Sequence, residues 1–202
     1  MTQFGSVDDD VLALRRAGEL GDWNSCLDAT RRLLIRLPAE KALGVIQEQV
    51  AARLPGFERH QPGVTWPRGL VEAVTGVRML NSWNWPEDDE FPGPGANNFI
   101  SAVENLWKAS RSADDDEKRV GSLVRAVASA IMAEKLENWG ARHIEQWRHW
   151  YGQASDQDDR MEQLRLQEQM VFGPEGTEIG RKAWLRLADA LEMALLGRAE
   201  GS

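Results

Sequence analysis

The chain has 202 residues, 42% hydrophobic and 28% charged, and a formal net charge of −8, which suits a globular protein able to fold without metal or disulfide staples and excludes a disordered chain. The acidic balance opposes phosphate backbones, so no nucleic-acid partner is expected, and the longest weakly polar stretch, 126–133, is far shorter than the roughly 20 residues of a membrane span. A single cysteine, Cys26, and a start that reads Met-Thr-Gln-Phe-Gly-Ser-Val-Asp-Asp-Asp, with neither a basic segment nor an apolar secretion core, predict a reducing, cytoplasmic setting.

Helical spacing then dominates. Val11, Leu14, Ala17 and Gly18 predict a first helix, and Leu27, Thr30, Leu33 or Leu34, and Leu37 a second that Pro38 closes. A third fits 39–54 through Ala42, Leu43, Ile46 and Val50, with Pro55-Gly56 expected to end it. After an irregular stretch to about Trp66, Pro67 suits a first turn, and Leu70, Val74, Val77 and Leu80 or Met79 recur at helical spacing. The segment 81–95 carries Pro86, Pro92, Gly93, Pro94 and Gly95 and predicts a long loop. Asn97 or Asn98 is the expected cap of a fifth helix bearing Phe99, Val103, Leu106 and Trp107.

The longest helix is expected to open at Ser112 or Asp114 and reach about Trp139. Its middle is almost free of polar side chains, which places it at the centre and Val124 in the core. Gly140 should break it, with helix resuming over 141–151, an eighth helix capped by Ser155 reaching Phe172, and a ninth capped by Thr177 reaching Leu196 before Gly197. The predicted fold is all-α: an irregular bundle of eight or nine helices, divided as 1–58 and 64–202 or forming one continuous domain.

Three acidic runs fall in predicted first turns, where negative charge meets the positive end of the helix dipole: Asp8-Asp9-Asp10, Asp114 to Glu117, and Asp156 with Asp158 and Asp159. The fourth, Glu87-Asp88-Asp89-Glu90, does not, because it sits inside the proline-rich loop.

Gly21-Asp22-Trp23, the small Cys26 and the closing Pro38 resemble one tetratricopeptide repeat over residues 10–38. The likeness lies in the second half of the repeat. Ala13-Leu14 exchanges the small and large members of the family's pair, and Asp10, Ala17 and Thr30 stand at its aromatic positions. One period downstream, Gly44 and Gln47 occupy places that need Trp and Leu, so no second copy follows in register. The resemblance implies a helical hairpin, not a peptide-binding array.

Motifs for catalysis are missing: no nucleophile elbow, phosphate-cradling glycine loop or Cys-x-x-Cys is present. His60, His143 and His149 share no ligand spacing, and Glu145 with His149 makes at most an i,i+4 pair, so no metal or cofactor is expected. Nine tryptophans against one tyrosine and five phenylalanines are the anomaly. Trp107 and Trp184 lie on apolar faces and read as core. Trp83, Trp85 and Phe91 instead bracket Glu87, Asp88, Asp89 and Glu90, joining aromatic anchors to acidic side chains in a way that suits a basic, partly apolar partner surface; the alternative is a compact loop whose aromatics fold back onto the bundle. The leading expectation is therefore a non-enzymatic adaptor, inhibitor or immunity-type binder that uses this loop. Two alternatives stand beside it: an enzyme or small-ligand binder with a pocket around Arg142, His143, Trp147 and Trp150, and a structural subunit completed by self-association. Nothing in the sequence fixes an oligomeric state.

Overall fold

A computed structural model describes residues 6–74, 93–112, 114–145, 165 and 171–197. Among these lie eight α-helices and no strand: α1 (Val7–Leu20), α2 (Trp23–Arg36), α3 (Ala39–Ala51), α4 (Leu54–His60), α5 (Trp66–Ala73), α6 (Ala96–Ser110), α7 (Asp116–Arg142) and α8 (Pro174–Leu196). No described helix is long and apolar enough to cross a membrane.

Local chemistry sets the first two helices. The Ser6 hydroxyl accepts from the Asp9 amide at 3.1 Å while the Asp9 carboxylate accepts from the Ser6 amide at 3.0 Å, a reciprocal cap on α1. Gly21, at φ 68°, ends α1 in the left-handed region, and Asp22 caps α2 by accepting from the Ser25 amide. The two helices fold back on each other around Leu14, Cys26, Ala29 and Leu33. Asp10 differs from its expected role as a dipole charge. It is buried and held by Arg32 and Arg36, each at 2.7 Å, while Asp8 and Asp9 stay exposed in the first turn. A buried carboxylate needs such partners to offset its lost hydration.

Cys26 is completely buried, and that burial pushes its thiol up to about 12. The thiolate fraction is then roughly a thousandfold below that of a free cysteine. The native protein is expected to react with a thiol reagent far more slowly than the same protein in denaturant. Equal rates would place Cys26 at the surface.

The long helix α7 lies at the centre as expected, in contact with α2, α3, α6 and α8. Asp115 caps it by accepting from the Lys118 amide at 3.0 Å, and buried positions run from Val120 to Gly140. Its register is one residue from the expected one: Leu123 is wholly buried and Val124 only half-buried. One hydrophobic cluster joins side chains from Val11 to Leu195. Trp184 lies within it, its ring 5.1 Å from Trp23 in edge-on contact. Gly18 permits that approach, because a Cβ there would lie 3.0 Å from the Trp184 Cβ. Trp107, read as core, is only half-buried, with the Arg111 guanidinium 6.0 Å from its ring centre.

Several boundaries move. α3 stops at Ala51, and Pro55 sits in the first turn of α4, where its missing N–H is no loss. A short helix therefore occupies part of the stretch read as irregular. Gly95, not Asn97 or Asn98, precedes α6, and α8 begins at Pro174, leaving Thr177 inside it with its hydroxyl donating to the Phe172 carbonyl at 3.4 Å. Gly140 does not break α7, which continues to Arg142. Val77, Met79 and Leu80, the Ser155 cap and Asp156, Asp158 and Asp159 lie outside the described residues, as does most of 141–151 and 155–172.

Candidate functional site

The C-terminal half of α7 gathers the unusual chemistry. Gly93, Pro94 and Gly95, the described end of the segment expected to be a loop, lie against it and are all buried. Gly95 has φ 76°, and a Cβ there would lie 2.4 Å from the Ala133 carbonyl oxygen. One helical span further along, a Cβ on Gly140 would lie 2.2 Å from the Pro94 ring, and a Cβ on Gly93 would lie 3.0 Å from the His60 Cβ. Both the bend and the clearance at this root therefore demand these residue types. Phe57 against Phe99, with ring centres 4.9 Å apart, backs the root from α4 and α6.

Acidic side chains of α7 are neutralised nearby. Glu134 is held by Arg53 at 3.2 Å and Arg186 at 2.6 Å, and Glu137 pairs with Arg59 at 3.2 Å. Glu137 also fills the space above Gly56, where a Cβ would lie 2.2 Å from its carboxylate oxygens. Arg53, Phe57, His60, Pro94, Ala133 and Glu137 border a narrow crevice of only about 10 Å³, too small for a ligand.

Of the residues expected to bind a partner, Trp83, Trp85, Glu87, Asp88, Asp89, Glu90 and Phe91 lie outside the described residues. The loop's described neighbours, Val74 before it and Gly93 at its end, are both buried. In the alternative set, Trp147 and Trp150 also lie outside the described residues, whereas Arg142 and His143 end α7 and are exposed. Arg142 pairs with Glu175 at 2.5 Å, and the His143 ring stacks on Trp139 at 4.7 Å. Both side chains lie at the surface. Pro94 packs on Gly140, two residues before Arg142. Among the described residues no three His, Cys, Asp or Glu side chains gather as metal ligands would.

One residue of this half-helix escaped the sequence reading. Lys135 is 4% exposed, and burial alone lowers its pKa. Its ammonium lies 5.5 Å from the ring centre of Trp23 and 5.9 Å from that of Phe172. Gly180 of α8 faces it, the position of a Cβ there being 3.4 Å from Nζ. Among the described residues no carboxylate pairs with it. A signal was present: Ile131, Lys135 and Trp139 recur at four-residue spacing, so the lysine stands where the stripe calls for an apolar side chain.

Comparisons with family models, curated proteins and solved structures find no match to this chain. Its chemistry is read from its own residues.

Proposed function

We propose that the protein is a non-enzymatic binding module that masks or recruits a basic protein partner through the 81–95 loop. The supporting observation is the root of that loop, wedged into α7 at Gly95 and Pro94 without spare volume. A binding segment carried on a fixed base loses less freedom on association than one carried on a pliant base. The loop sequence supplies the recognition chemistry: four consecutive carboxylates for a basic surface, with Trp83, Trp85 and Phe91 as apolar anchors. In this reading α1 and α2 are a single tetratricopeptide-like hairpin used for packing. Trp23 of its turn meets Trp184 of α8, so α8 supplies the cover that the next repeat supplies in an array.

The test uses partner kinetics and melting on the same proteins. Replacing Glu87, Asp88, Asp89 and Glu90 with their amides is expected to slow association and flatten its salt dependence, because exposed charges steer encounter. Trp85→Ala is expected to speed dissociation by the equivalent of about 2 kcal/mol with the melting temperature unchanged. A destabilised Trp85→Ala protein that binds its partner normally would remove the loop from the functional site.

A further inference from the structure

We propose that Arg31 of α2 and Arg125 of α7 form a binding site for a single phosphate group, carried as inorganic phosphate or on a small phosphomonoester. The site is independent of the 81–95 loop. The two guanidinium groups converge over Gly121: from the place that a Cβ would take on that residue, Arg31 Nη2 is 3.6 Å away and Arg125 Nη1 is 3.8 Å away. These nitrogens are therefore no more than about 7 Å apart, a gap that one tetrahedral oxyanion spans by accepting from each at about 2.8 Å through different oxygens.

Neither arginine has a carboxylate partner among the described residues. That is unusual in a chain with 32 acidic side chains against 24 basic ones, where Arg53, Arg68 and Arg186 are each held by a glutamate. No carboxylate oxygen comes within 4 Å of the point above Gly121. Like charges brought this close repel each other, and a bound dianion removes that cost.

Neutral groups set Arg125 in place. Its Nε donates to the Asn105 side-chain oxygen at 3.1 Å, and its Nη2 donates to the hydroxyl of Ser122, which is only 4% exposed, at 3.2 Å. Asn105 is oriented in turn, its amide nitrogen donating to the Ser101 carbonyl at 2.8 Å. α6 and α7 thus hold the guanidinium in one orientation and leave its charge uncompensated, with Nη1 on the side of Arg31. Both arginines are exposed, so an anion reaches them from solvent. The net charge of −8 opposes extended polyanions, whose many phosphates would face the acidic remainder of the surface, whereas one phosphate meets the two arginines alone.

Calorimetric titration of the full chain with inorganic phosphate and with phenyl phosphate, at fixed ionic strength in chloride, tests the site. Saturable binding of one ligand per chain is expected; tighter binding of phenyl phosphate identifies an ester as the ligand, and tighter or equal binding of inorganic phosphate the free ion. Arg31→Gln and Arg125→Gln should each weaken binding by ~10-fold or more, the effect of losing one charge-assisted pair, with the melting temperature unchanged. Arg16→Gln, at another exposed arginine without a carboxylate partner among the described residues, should bind as the parent does. Gly121→Asp should abolish binding, since its carboxylate springs from the point that both nitrogens face and fills the site from within. Absence of saturable binding overturns the proposal. So does binding that survives loss of both arginines or Gly121→Asp, or a loss that Arg16→Gln reproduces, because the anion would then be held elsewhere or by overall charge.

Discussion

Replacing Gly95 with alanine is expected to cost about 3 kcal/mol or more, from two penalties that a single methyl group incurs together. At φ 76° an L side chain meets its own backbone, worth about 1–2 kcal/mol. The new Cβ also meets the Ala133 carbonyl oxygen at 2.4 Å, and that oxygen belongs to the middle of α7, where it cannot move without distorting the helix. Overpacking of this kind adds about 1–3 kcal/mol. The melting temperature should fall by roughly 6–12 °C for a chain of this size. Gly140→Ala strikes the same contact from the other side, through the Pro94 ring, and should lower it too. Gly44→Ala is the control. It lies inside α3 with nothing within 4 Å of the new methyl, so helix propensity should make it neutral or stabilising by up to about 1 kcal/mol. Equal melting temperatures for the Gly95 and Gly44 variants would show that the root is not wedged.

Leu123→Asp is expected to unfold the protein or cost several kcal/mol, because it leaves a carboxylate without partner or water at a wholly buried position of the central helix. Val124→Asp, one residue on, should be tolerated with a much smaller loss, since that side chain is half-buried and a charge there keeps a path to solvent. Denaturant unfolding of the two variants side by side measures the difference. Similar losses would mean that the register of α7 is wrong.

That one-residue difference shows where the sequence is informative. The apolar middle of α7 identifies a central helix, but when neighbours surround a helix on most sides its periodicity no longer says which residue faces inward. The hairpin was legible because Asp22, Gly21 and Pro38 act on their own neighbours, through caps and turns. Gly140 and Pro55 misled for the opposite reason. Each is a local breaker by type, yet Gly140 is small because Pro94 lies against it, and Pro55 opens a helix in a first turn that requires no amide hydrogen. Asp10 does lie in the acidic first turn of α1, but its pairing with Arg32 and Arg36, on the next helix, could not be read from that run. Of the candidate site, composition disclosed the aromatic and acidic side chains of the loop but not the surface that receives its root. It also passed over Lys135, whose meaning comes from Trp23 and Phe172, far from it in sequence.

The meeting of α1 with α8 has a consequence for how the chain is made. Arg15 pairs with Asp189 and Glu192, the latter 177 residues away, and Trp23 packs on Trp184. During synthesis α1 and α2 emerge first and can pair at once through Asp10, Arg32 and Arg36, whose separations are only 22 and 26 residues. The face that awaits Trp184 stays uncovered until α8 leaves the ribosome. At about 5–20 residues per second that interval is of order ten seconds or more. Throughout it the nascent chain leaves uncovered the surfaces of Trp23 and Gly18 that Trp184 covers in the finished fold.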